Sequence, residues 1–178
     1  QRLGYYVDLI TGVGNATLAV EASWIERGIP DRVLDLPCKV LRAEEMIASK
    51  LFVTRRERFD GADIAHLLKA CCQQIDWNRL LELIGAHEDM LYWHLVLFAY
   101  IYPSHVGLVP ANVWRNLHEG FKRRVSTPNL NEPFRGSLID PMMFAIDVNE
   151  WGECDLFREL TQNYPHPLPL EEPGRSEA

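Results

Sequence analysis

The sequence predicts an α+β protein in which a short strand-bearing N-terminal portion precedes a predominantly helical bundle. Three observations carry that expectation. The segment GYYVDLI near the start has strand composition. From Ala43 onward the apolar residues recur every three or four positions, the period of an amphipathic helix. The connections between those helical stripes are short, which favours antiparallel neighbours.

In chain order, GYYVDLI is followed by TGVGN, where Gly12, Gly14 and Asn15 suit a turn. The short ATLAV after it reads as a second strand, Ser23 to Arg27 as a brief helix, and Val33 to Leu41 as a hairpin broken at Leu36 and Pro37. Met46, Ile47, Leu51 and Thr54 mark one face of a helix expected to end near Arg58. Ile64, Leu67, Leu68 and Cys71 mark the next. Asp76 is placed to cap a third, carrying Leu80, Leu81 and Ile84, with Gly85 as its stop. Leu91, Leu95, Phe98 and Tyr102 form a fourth stripe, apolar almost all round and therefore expected at the centre. Pro110 opens a fifth, with Val113, Trp114, Leu117 and Phe121 expected inward. The bulky segment FRGSLIDPMMFAIDVNEWG should dock against the bundle, and the proline-rich end should be disordered. The division is thus sheet-bearing over 1–42, helical over 43–124, docked over 125–163 and a tail over 164–178.

Composition bounds the function. A hydrophobic share of 47% and a charged share of 24% are those of an ordinary soluble globular chain. The net charge of −7 gives no broad nucleic-acid footprint. Basic residues do gather locally, since Lys39, Arg42, Lys50, Arg55, Arg56 and Arg58 lie close together, a pattern that steers phosphate or forms a solvated helix face. The four cysteines, Cys38, Cys71, Cys72 and Cys154, have no metal-binding spacing and read as thiols of a reducing compartment. With no apolar run long enough to span a bilayer and no signal-peptide pattern, a cytoplasmic protein without a membrane partner is expected.

Four charged residues stand out as site candidates. Asp8 sits inside the apolar run Tyr6-Val7-Asp8-Leu9-Ile10, where it serves as a metal ligand, a base or half of an ion pair, or is solvated at a strand edge. Lys50 shares the face of Met46 and Ile47, so its amine either snorkels to water or meets a phosphate or a carboxylate. Asp60 and Asp63 have the three-residue spacing of a capped helix start, and capping is the expected role of Asp60. Asp63 borders the buried stripe through Leu67, which leaves it open to ligand contact. The six histidines form no ligand pair, and His94 is expected in the core. The lone G-x-G at Gly12 and Gly14 lacks the rest of a dinucleotide fingerprint.

The stretches YYVDLITGVGNATLAVEASWIERGIP and LDLPCKVLRAEEMIASKLFVTRRERFDGADIAHLL, with IDWNRLLELIGAH, HLVLFAYIYPSH and the FRGSLIDPMMFAIDVNEWG segment, resemble the later part of bacterial nucleotidyltransferase-like proteins of the DNA polymerase β superfamily. The resemblance implies a small mixed sheet, here its C-terminal remnant, followed by helices. It implies that Asp8 is the third metal-site carboxylate and helps to activate a hydroxyl, and that Lys50, Asp60 and Asp63 belong to the nucleotide site. Mg²⁺ would be the cofactor and an NTP the donor, with a hydroxyl of a protein, an RNA or a small molecule as acceptor. The sequence departs from that pattern in having no D-x-D pair and no glycine-rich triphosphate segment. Both are expected upstream of Gln1, and the chain alone is expected to be inactive. Two other readings stand beside this one: a non-catalytic helical interaction module presenting Trp93 and Trp114, and one half of a toxin–antitoxin pair.

Overall fold

A computed structural model describes Gly12, Val13 and residues 15–162. GYYVDLI with Asp8 and the 164–178 tail therefore lie outside the described residues. The architecture is α+β, with one antiparallel hairpin followed by a mostly helical region.

Helix α1 (Ala22–Arg27) precedes the strands β1 (Ile29–Val33) and β2 (Leu36–Val40), which pair with Ile29 opposite Val40 and Val33 opposite Leu36. The turn is Leu34-Asp35, both at positive φ (49° and 64°), the geometry of a tight hairpin whose twist matches its strands. The sequence places the break two residues later, at Leu36 and Pro37. Leucine is a poor signal for positive φ, and Pro37 is tolerated because a two-stranded sheet consists only of edge strands. ATLAV forms no strand: it contributes one bridge, Ala19 to Gly12, across a turn closed by Val13 N–H to Leu18 O at 2.9 Å.

The helical region comprises α2 (Ala43–Lys50), α3 (Gly61–Cys71), α4 (Trp77–Ile84), α5 (Glu88–Ile101) and α6 (Ala111–Ser126). Helix α2 packs on α3 and α4, while α5 lies between α3 and α6. The fourth stripe is central as its composition requires, with Leu91, Leu95 and Phe98 wholly buried. They meet Ile47 and Leu51, Ile64 and Leu68, Leu80 and Ile84, and Val113 and Leu117 in one core. Phe121 departs from expectation: it is exposed and tilts over the ring of Tyr92 at 5.7 Å. Asp76 caps α4 by accepting from Arg79 N–H at 3.1 Å, and Gly85 ends it at φ 49°. His94 is a core histidine. Its Nδ1–H donates to Met90 O at 2.8 Å, and burial lowers its pKa, so the ring is neutral.

Helix α2 also carries two buried acids. Glu44 accepts from the Asp76 N–H at 2.6 Å. Glu45, fully buried, lies 3.4 Å from Arg79 Nε and 3.6 Å from Arg27 Nε, tying α1 and α4 to α2. Trp24 completes the seating of α1, and Arg42 Nε donates to Arg27 O at 2.8 Å where the hairpin returns.

The expected docked segment holds the short helices α7 (Gly136–Ile139), α8 (Ala145–Asn149) and α9 (Leu156–Gln162). Leu138 is buried in the common core, and Asn15 Nδ2 donates to its carbonyl at 3.1 Å. No helix among the described residues is long and apolar enough to cross a membrane.

Candidate functional site

The helix bearing Lys50 stops at that residue instead of running on to Arg58. The chain turns there: Val53 N–H bonds to Lys50 O at 3.0 Å, and Thr54 pairs antiparallel with Phe59. Val53 and Thr54 are β-branched, which suits this extended return better than another helical turn. Asp60 N–H then donates to Val53 O at 2.9 Å and closes the loop. A Cβ on Gly61 would stand 2.1 Å from Cζ of Phe59, so a side chain there would displace that exposed ring.

The folded-back loop brings together residues that the sequence separates. Lys50 Nζ lies 2.8 Å from Asp60 Oδ2 and 2.7 Å from Asp63 Oδ2. On the other side of Asp60, Arg58 donates through Nε at 3.0 Å and Nη2 at 3.1 Å, a bidentate clamp. Asp60 occupies the N-cap position of α3, yet its side chain accepts no capping hydrogen bond. The capping role expected for it is therefore incorrect. Two guanidinium and ammonium partners outcompete a single backbone N–H for the carboxylate.

Electrostatics follow from this geometry. The hydrogen bonds from Arg58 hold the Asp60 carboxyl below its ordinary pKa, reinforced by Lys50 and opposed by burial. Burial works against the Lys50 ammonium, but its bonds to Asp60 and Asp63 outweigh that and raise its pKa. Both groups are fully ionised at neutral pH. Asp60 is enclosed, with 9% of its side chain exposed, whereas Asp63 is open at 55%.

The four charges sum to zero, and both carboxylates already face cations. Among the described residues no group of three or more acidic, histidine or cysteine side chains is arranged to hold a metal. Lys50 and Arg58 occupy both oxygens of Asp60, and Lys50 occupies one oxygen of Asp63. The metal and catalytic roles implied for Asp8 fall outside the described residues.

Next to this cluster opens a cavity of about 360 Å³. Its wall combines Arg55, Glu57 and Arg58 of the same loop with Asn15, Ser137, Pro141 and Phe157 from distant parts of the chain. In the sequence Arg55 and Arg58 belong to a local run of basic residues, with no site role attached to either. The R-x-D spacing of Arg58 and Asp60 was the available signal; Ser137 gave none.

The class defined so far is an α+β protein with an N-terminal hairpin, a helical region and a charged loop closing a cavity. No family model matches the chain, and no curated protein or solved structure matches it.

Proposed function

We propose that this chain is nucleotidyltransferase-like, and that Lys50, set by Asp60 and Asp63, contacts the phosphates of an NTP whose nucleoside monophosphate is passed to a hydroxyl acceptor. The observation that carries this reading is the Lys50 ammonium held between two carboxylates from beyond the 51–59 loop, at 2.8 and 2.7 Å. A lysine ammonium has three N–H donors. Two are committed here, which fixes the head group and leaves one for a phosphate oxygen. The raised pKa keeps that charge in place throughout the neutral range. The sequence resemblance to nucleotidyltransferase-like proteins supports the same three residues. No step through Mg²⁺ is derived from them. The acceptor class is a protein, an RNA or a small molecule, and a place in a toxin–antitoxin pair is compatible with each.

Titration calorimetry of ATP, GTP, CTP and UTP into the chain tests this. At least one should bind, and Lys50→Ala should weaken it about tenfold or more, the worth of a charge-assisted hydrogen bond. No binding by any of the four, or unchanged binding by Lys50→Ala, ends the reading.

One observation favours a non-catalytic interaction module instead. Ile29, Val33, Leu36 and Val40 share one face of the hairpin, and all four are exposed. Trp93 is exposed as well, whereas Trp114 is half-buried with its Nε1 enclosed. The module reading predicts no NTP binding at all, so the same titration separates the two.

A further inference from the structure

The cavity beside the charged cluster has a chemistry of its own. At about 360 Å³ it is within the range of small-molecule sites. Two of its wall groups lack partners. Ser137 is 2% exposed, and its hydroxyl makes no hydrogen bond among the described residues. The Arg55 guanidinium, on an exposed residue, makes no ion pair or hydrogen bond among the described residues. Unlike the Thr54 hydroxyl, that of Ser137 is not sealed from solvent, so it is free to donate to a ligand. A guanidinium on the same wall is matched to an oxyanion.

A third wall group adds donors. Arg58 spends Nε and one N–H of Nη2 on Asp60, which leaves three of its five N–H groups. Opposite in character are Phe157 and Pro141, both half-buried, and Phe52, which is buried. They give the wall an apolar part. Glu57 also lines the wall and is the one acid among its described residues, placed to accept from a donor on a ligand and unsuited to holding an anion.

We propose that this cavity binds a small phosphomonoester, with the phosphate read by Arg55, Arg58 and Ser137 and a planar or apolar body laid against Phe157 and Pro141. Phosphate is favoured over carboxylate because two guanidinium groups and a hydroxyl supply more donors than two carboxylate oxygens use. The assignment does not depend on Lys50, which is not part of the cavity wall.

Phenyl phosphate is the direct probe, since it has the required head and body but no base, sugar or polyphosphate. Calorimetric titration into the full chain should show saturable binding, with benzoate clearly weaker. Arg55→Ala should weaken phenyl phosphate by about tenfold or more and Ser137→Ala by roughly threefold. Arg55 is exposed, so its variant should keep the wild-type circular dichroism spectrum and remain interpretable even where Ser137→Ala does not fold. Absence of saturable binding, benzoate binding as tight as phenyl phosphate, or an Arg55→Ala titration like wild type would each overturn the proposal.

Discussion

Asp60→Ala is expected to destabilise the protein by about 1–2 kcal/mol, because it removes an enclosed carboxylate that two cations hold, while Lys50 keeps Asp63 and Arg58 is solvated. The neighbouring change Asp63→Ala should cost under about 1 kcal/mol, since a carboxylate 55% exposed forms a solvent-screened pair. Urea denaturation of the two variants beside wild type measures both numbers. Equal effects would mean that enclosure does not govern this cluster. The pH dependence has a definite sign. A carboxyl whose pKa is lowered by folding stabilises the fold above its unfolded value and loses that contribution as pH falls through the folded one. A lysine with a raised pKa contributes below its unfolded value and loses that as pH rises through the folded one. The stability supplied by the cluster should therefore be level across the neutral range. It should fall below the ordinary carboxylate range, at about pH 4 and under, and again above the ordinary lysine range, past about pH 10. In Asp60→Ala the acid limb should be shallower.

Phe98→Ala should have the largest effect of all, about 3–5 kcal/mol. Phe98 is wholly buried on α5, the helix packed by neighbours on both sides, and its ring meets Tyr102 at 5.6 Å. Tight surroundings on a central helix cannot collapse into the space left behind, so the cavity term adds to the lost transfer energy. The melting temperature should fall by roughly 10 °C. Thermal and chemical denaturation measure this, and a loss under about 1 kcal/mol would place the centre of the core elsewhere.

Asp60 and Glu45 show where sequence reading fails in this chain. Asp60 has the spacing of a helix cap and even occupies the cap position, but the choice among its possible partners depends on where Lys50 and Arg58 arrive. That is decided by the 51–59 loop folding back through Thr54 and Phe59. Glu45 follows Glu44 in the first turn of α2, and nothing along the chain marks either acid for burial. Glu45 is buried because α1 and α4 approach from remote positions and bring Arg27 and Arg79 with them.

By itself the sequence determined the features that depend on neighbours along the chain. The central helix follows from an apolar stripe at period 3.6. The Asp76 cap and Gly85 stop follow from the hydrogen bonds and backbone angles of a few consecutive residues. The sequence also singled out Lys50 and Asp63, since a charge beside an apolar stripe needs a partner. Tertiary structure alone decided which partners those are, where the hairpin turns, and that Arg55 and Ser137 share one cavity. These depend on contacts between residues far apart in sequence, whose geometry is set only when the helices pack and the loops between them close.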